Sequence, residues 1–177
     1  MKKILSVLLV AVATPVLAQG MKPASHPGAV ALLNGSFTFV DGYITKAAEQ
    51  VPEADYAFKL TPEVRSFGGV IAHVADTQYG ICSAVLWEPN PSPDVEKTKT
   101  TKADLVEALK GSSALCAKAY AIPDAEAHAT MKLFGGEHPK IQALLVNLGH
   151  DWEHYGNIET YMRLKGMVPP SSQPRKK

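Results

Sequence analysis

Apolar side chains recur at intervals of three and four residues in four segments of the chain, which is the spacing of one helix face. These segments are residues 28–50, 67–87, 102–121 and about 138–165. Connectors rich in proline separate the first three, and no segment shows a convincing strand pattern of alternating apolar and polar residues. The pattern therefore predicts an all-α fold, in which the four helices pack as a four-helix bundle.

Local signals mark where these helices begin and end. Ser66 can cap the second helix, and Thr101 begins a variant of the capping box at the start of the third. Gly166 can close the fourth helix, and the prolines at 169–170 prevent its continuation. Residues 122–136 show no single pattern, so a loop, an extended piece and a short turn of helix all remain open there.

The two cysteines, Cys82 and Cys116, bear on the order in which the helices pack. A disulfide between them is one interpretation, and two buried free thiols are the other. The connector at 88–101 can reach roughly 45 Å, which is enough to return along a helix roughly 30 Å long. In a parallel pair of helices the cysteines lie at nearly the same height, whereas in an antiparallel pair they are roughly 14 Å apart along the axis. A disulfide therefore predicts an up-down-down-up bundle, because it tolerates a Cα separation of only about 4.4–6.8 Å.

The first 18 residues have the composition of a secretory signal peptide. Lys2 and Lys3 precede an apolar run, and a cleavage signal of small residues ends at Ala18. That run is too short for an ordinary membrane span, and charged residues or histidines interrupt every later apolar stretch. We therefore predict a bacterial protein that is periplasmic or secreted and is not stably inserted in a membrane after signal cleavage.

The rest of the chain is long enough for one domain with a hydrophobic core. We predict a flexible lead-in at 19–28, the bundle at 29–168 and a disordered tail at 169–177. Without the two lysines of the leader, 16 basic residues (18 minus 2) face 17 acidic ones. This balance gives no support for a nucleic-acid partner, so we expect a small molecule instead. A homodimer is left open.

Two of the six histidines are four residues apart on the predicted fourth helix, so both rings share one face and can point at one ion. This face is either exposed to solvent or turned towards an internal polar pocket. Charged residues are sparse along this part of the helix, which favours the internal pocket, and buried histidines need hydrogen-bond partners or a metal. The polar face comprises Asn147, His150, His154, Asn157 and Tyr161.

A catalytic metal site commonly has three protein ligands, and His73 on the apolar second helix is the natural third. From the pattern alone, a lone histidine on such a face is more often a hydrogen-bonded core residue than a ligand. A variant of the metalloprotease helix H-E-x-x-H is a weaker interpretation. The residue after His150 is Asp151, one methylene shorter than the glutamate that this motif requires, and no third-ligand motif of that class follows.

Three stretches of the chain resemble the DinB-like and YfiT-like bundle proteins. They are residues 61–75, with TPEVRSFG followed by IAHVA, then the pair of histidines at 150 and 154, and finally residues 161–170, YMRLKGMVPP. The resemblance covers about residues 29–170. It implies an up-down-down-up four-helix bundle, in agreement with the cysteines.

The resemblance also implies a metal site. The family's three histidine ligands correspond to His73, His150 and His154, and its sites hold zinc, nickel or another divalent ion. Asn157 stands where the family usually has glutamine, so the contact expected behind the ligands involves a shorter amide. We expect Asn147 to support the site in the same way.

The resemblance leaves several functions open. Characterised relatives include transferases and isomerases that depend on low-molecular-weight thiols of the cytoplasm, which an exported protein does not readily meet. A metal-dependent hydrolase needs only the ion and water, so it is our first expectation. Asp76, one turn after His73, is the expected proton acceptor, ahead of Asp151 and Glu153, although each of the three could equally be a solvated surface acid. A non-catalytic module that binds a metal or a small ligand is the alternative.

Overall fold

The computed structural model describes residues 27–174 of this protein. The predicted signal peptide, most of the predicted lead-in and the last three residues of the predicted tail lie outside the described residues. The predicted all-α four-helix bundle is confirmed, with a small hairpin and shorter helices between the four long ones. The helices are α1 (Ala29–Gln50), α2 (Phe67–Leu86), α3 (Val95–Thr98), α4 (Lys102–Ala119), α5 (Asp124–Ala127) and α6 (Lys140–Leu164), and the strands are β1 (Thr130–Leu133) and β2 (Gly136–Pro139).

The predicted caps determine where the long helices begin. The hydroxyl of Ser66 accepts the N–H of Gly69 at 3.1 Å, which satisfies one of the free donors at the start of α2. The hydroxyl of Thr101 accepts the N–H of Asp104 at 3.1 Å and donates to the carboxylate of the same residue at 2.8 Å. At the other end of α6, Gly166 adopts a left-handed conformation (φ 70°), which a side chain would disfavour.

The disulfide between Cys82 and Cys116 is present, with a Cα separation of 5.1 Å. Near the other end of the same helix pair, Gly68 of α2 packs against Leu105 of α4. Because the starts and the ends of α2 and α4 meet, these two helices are parallel, as the cysteine argument predicted. The interpretation of two free thiols was wrong.

The remaining helix pairs complete the up-down-down-up order. Phe67, at the start of α2, packs against Tyr161 near the end of α6, so these helices are antiparallel. Tyr120, which follows α4, stacks on Phe37 of α1 and donates to the carbonyl of Leu144 early in α6. The end of α1 lies near the end of α6, since Gln50 donates to the carbonyl of Val168. Helices α1 and α6 are therefore parallel.

The segment whose structure the pattern left open contains both a short helix and an extended hairpin. Strands β1 and β2 pair antiparallel, from Thr130 opposite Pro139 to Leu133 opposite Gly136. The two residues of the turn, Phe134 (φ 49°) and Gly135 (φ 79°), both have positive φ values. Positive φ at both positions is the conformation of a type I′ turn, whose twist matches that of the two strands.

A buried lysine attaches the base of this hairpin to the bundle. Lys140, the first residue of α6, is fully buried. Its ammonium group pairs with the carboxylate of Glu126 in α5 and lies 3.5 Å from the ring centroid of Trp87, the residue that ends α2. An ion pair and a cation–π contact together compensate the cost of burying the charge. The hairpin is thereby held against the end of α2.

The predicted disordered tail differs from the observed structure over residues 169–174. Pro169 and Pro170 are buried, and residues 170–172 form a short 3-10 turn against α1. The N–H of Ser171 donates to the hydroxyl of Tyr155 at 2.9 Å. The prolines end the helix as predicted, but the chain then folds back onto the bundle because it buries apolar surface there.

Candidate metal centre

Three imidazole rings meet between α2 and α6. His73 projects from the middle of α2, and His150 and His154 project from one face of α6. One ring nitrogen of each histidine lies within 4.8 Å of the others, and the Nε2 atoms of His73 and His150 are 3.1 Å apart. Two nitrogens bound to one zinc ion at 2.0–2.1 Å in tetrahedral geometry are roughly 3.3 Å apart. The arrangement therefore fits a single divalent ion held by three imidazoles.

The outer nitrogen of His73 contacts a carboxylate that the sequence did not single out. Nδ1 of His73 lies 3.0 Å from Oε2 of Glu96, and the other oxygen of Glu96 accepts the guanidinium Nε of Arg65 at 2.7 Å. An ionised carboxylate only accepts hydrogen bonds, so Nδ1 carries the proton and the lone pair of Nε2 points towards His150. A carboxylate behind a histidine ligand fixes its tautomer in this way in many metal sites.

Asp76, the predicted proton acceptor, connects α2 to the short helix α3. Its two carboxylate oxygens accept the backbone N–H groups of Val95 and Glu96, at 2.6 and 2.7 Å. These contacts cap the start of α3. They also place Glu96 beside His73, which precedes Asp76 by three residues on α2. Asp76 also lines the cavity beside the histidines. The catalytic role of Asp76 stays a prediction. Its role in positioning Glu96 was not predicted and is seen only in the structure.

The outer nitrogens of the other two histidines face α6 itself. Nδ1 of His150 is buried, and its nearest carboxylate oxygen is Oδ1 of Asp151 at 3.9 Å. Nδ1 of His154 lies 3.4 Å from the side-chain amide nitrogen of Asn157, which is the contact expected for that residue. The hydroxyl of Thr77 approaches Nε2 of His150 at 3.4 Å from α2. The amide of Asn157 and the hydroxyl of Thr77 thus border the site without competing as charged ligands.

Asn147 makes no hydrogen bond to the three histidines and belongs to a buried polar network one turn before them. Its amide nitrogen lies 3.2 Å from the carboxylate of Asp151 and 3.2 Å from the hydroxyl of Tyr120. The alternative of a solvated surface acid was wrong for Asp151, which is fully buried and also accepts the amide of Gln78 at 3.1 Å. Burial raises the pKa of Asp151. Glu153 is exposed, as a solvated acid would be.

Burial and the charges of neighbouring groups keep His73 and His154 in the form that binds metal. Burial, followed by the charges of His150 and His73, lowers the pKa of His154 to about 4. Burial also lowers the pKa of His73, against the opposing effect of Glu96. Both rings are therefore neutral at neutral pH, and a neutral imidazole is the form that coordinates an ion.

A cavity of about 520 Å³ opens onto two of the three histidines. Helix α2 forms one wall, with Thr77 and Ile81 beside His73. The tip of the β1–β2 hairpin also lines the cavity, with Leu133 and Phe134. A volume of this size is within the range of pockets that hold small molecules. The ion position is therefore accessible from a space large enough for a substrate.

A sequence model of the DinB superfamily matches residues 37–158, which is more than half of the chain. The chain belongs to the DinB superfamily. The match begins within α1, ends within α6 and includes the three histidines. The family resemblance predicted from the histidines and the flanking motifs is confirmed. No curated protein sequence matches this DinB-like chain.

Two crystal structures of DinB-like proteins share the fold. One, from Bacillus cereus ATCC 10987, has a TM-score of 0.69 and 16% sequence identity, and the match covers 78% of this chain and 93% of that one. The other, YjoA from Bacillus subtilis, has a TM-score of 0.65 and 16% identity, with 82% and 99% of the two chains covered. At this identity the comparison shows the fold alone.

Proposed function

We propose that this DinB-like protein is a divalent-metal-dependent hydrolase of a small molecule. The observation that carries the proposal is the group of three imidazoles, two of which line an open cavity. Three protein ligands leave a coordination position for water or substrate, whereas structural sites are normally closed by four. When bound, a divalent ion supplies a Lewis acid and lowers the pKa of water towards neutrality. Zinc and nickel are the ions that we expect, since both suit imidazole ligands.

The side chains around the histidines have separate roles in this proposal. Glu96 holds the proton of His73 on Nδ1, and Arg65 keeps Glu96 ionised and in place. We assign Asp76 as the proton acceptor for water in the cavity. Each of its oxygens accepts one backbone amide and retains a lone pair for a further hydrogen bond.

Two observations favour this function over the alternatives. The open cavity argues against a module that binds only a metal, because such a module needs no space beside the ion for a further molecule. The buried disulfide between Cys82 and Cys116 is typical of oxidising compartments, where the thiols used by S-transferases of the cytoplasm are scarce. The disulfide thus supports export, in keeping with the leader predicted at residues 1–18. Across residues 27–174, no helix is long and apolar enough to cross a membrane.

The test of this proposal is metal content and turnover of the protein purified from a bacterial periplasm. We expect one equivalent of zinc or nickel for each chain. We also expect hydrolysis of members of an ester and amide panel, which a chelator removes and the ion restores. An ion that is bound tightly without any turnover across ester, amide and thiol-transfer panels would instead support the binding module.

Replacing Glu96 with glutamine is expected to weaken zinc binding by roughly 10- to 100-fold, the effect of losing an outer partner of a histidine ligand. The amide can still accept from Nδ1 of His73, but it lacks the charge that strengthens this contact and the pair with Arg65. Competition with a chromophoric chelator measures the affinity. Glu153→Gln is the matched control, since it removes an exposed acid of α6 beside His154. Equal affinities for the two variants would show that Glu96 does not position His73.

A further inference from the structure

The part of the cavity that the hairpin lines is apolar. Leu133 and Phe134 line the space together with His73 and His150, and Ile81 of α2 contributes a third apolar side chain. Leu133 is partly buried against the core, but Phe134 is 77% exposed and does not belong to it. An apolar surface that is kept open beside a metal centre has the character of a subsite for an apolar group.

The conformation of Phe134 indicates that this residue was not selected for the stability of the turn. It has φ 49°, in the left-handed region, where a bulky side chain is disfavoured. Asparagine followed by glycine is the preferred sequence of a type I′ turn, and here phenylalanine precedes Gly135. Strained backbone tends to occur at ligand sites, where function rather than stability selects the residue. The strain at Phe134 and the lining of the cavity are independent observations that point to the same role.

The side chains of the cavity provide no cationic partner for an anionic group that lies away from the ion. Among the residues that line it, none is a lysine or an arginine, and the only carboxylate, Asp76, already accepts two backbone amides. The guanidinium of Arg65, whose charge acts on His73, is paired with Glu96. Away from the ion, a carboxylate or phosphate on the substrate would therefore find no cationic partner among the lining side chains, and burying it unpaired would be costly.

We infer that the hairpin tip, Leu133 and Phe134, determines specificity by receiving an uncharged, apolar group of the substrate while a polar group meets the three histidines. This inference rests on the proposed metal site and names the class of its substrate. The contacts of the two strands fix the position of the hairpin tip. The strands pair along their full length, and Met131 is buried beneath them.

The test compares two hydroxamates that have the same metal-chelating group but differ in their apolar part. Acetohydroxamate carries a methyl group and benzohydroxamate a phenyl ring. Both are titrated into the protein loaded with cobalt(II), whose visible spectrum changes when its coordination changes. We expect benzohydroxamate to bind the natural chain roughly tenfold more tightly, from the additional apolar area that it buries. We expect 4-carboxybenzohydroxamate to lose this advantage.

The Phe134→Asn variant is expected to bind both uncharged hydroxamates within about threefold of each other, with unchanged affinity for acetohydroxamate and cobalt. Its fold should be retained, because asparagine is the residue that this turn prefers. The matched control is Phe39→Asn, which removes a phenylalanine that is 65% exposed on α1, away from the cavity. This control should keep the full preference.

The possible results separate the two proposals. Failure of the natural chain to bind cobalt would overturn the metal centre, and with it both the proposed function and this inference. If cobalt binds but neither hydroxamate does, the ion has no open coordination position, and the proposed function is overturned as well. If cobalt binds and the two hydroxamates bind equally, only the inference is overturned. The same conclusion follows if Phe134→Asn keeps the preference for the phenyl ring, or if the carboxylated probe binds as tightly as benzohydroxamate.

Discussion

Replacing His154 with alanine is expected to lower the affinity for zinc by more than roughly 100-fold. Loss of an outer partner already costs roughly 10- to 100-fold, and the loss of a ligand costs more. His154 is 8% exposed and faces both other rings, so no neighbouring group can take its place without moving the helices. The same result is expected for His73→Ala. Chelator competition with zinc and with nickel measures both.

The matched control for this substitution is His128→Ala. His128 is exposed and follows α5, outside the group of three histidines. The His128→Ala variant should bind one equivalent of ion with the affinity of the natural chain. The metal-free His154→Ala protein should keep the circular dichroism spectrum of a helical bundle. Unchanged zinc affinity in His154→Ala or His73→Ala would show that the three histidines do not form the site.

Removing the disulfide by the double substitution Cys82→Ala and Cys116→Ala is expected to lower the free energy of unfolding by roughly 4 kcal/mol. The bridge joins residues 34 positions apart, and closing a loop of that length restricts the unfolded chain by about this amount. Alanine leaves no unpaired polar group at these two fully buried positions. Urea unfolding of the oxidised chain and of the double variant measures the difference.

Reduction of the natural chain gives a second estimate of the same quantity. The unfolding midpoint in the presence of a thiol reductant should approach that of the double variant, and the reductant should not affect the variant. A loss below about 1 kcal/mol would show that the bridge contributes little to stability and reports only the oxidising environment. The spectrum of the folded variant should remain that of a helical bundle, since α2 and α4 also pack through Gly68 and Leu105.

The four long helices could be predicted from the sequence, and so could their order. Each depends on signals that lie close together, such as Ser66 and Thr101, whose side chains accept amides three residues ahead. The order of the helices followed from two lengths, the reach of the connector at 88–101 and the short span of a disulfide. In the structure, the Cα atoms of the two cysteines, Cys82 and Cys116, are separated by 5.1 Å, which is within that span.

The candidate site could be predicted only in part. His150 and His154 follow from a spacing of four on one helix. The apolar second helix suggested His73 as the third ligand, and the family resemblance assigned it. Glu96 was missed, because it lies in a connector that the prolines indicated was a loop. No local signal distinguishes it from other exposed acids. Only the known need of a histidine ligand for an outer acceptor could have suggested a carboxylate there.

By itself, the sequence determined which segments are helical, where they begin and that two histidines share one face. These features depend on residues within about one helical turn of each other. The tertiary structure decided that Glu96 meets His73, 23 positions away, and that Asp151 is buried against Gln78, 73 positions away. It also decided that the hairpin faces the histidines. These contacts arise from the packing of distant segments, so hydrophobic periodicity contains no information about them.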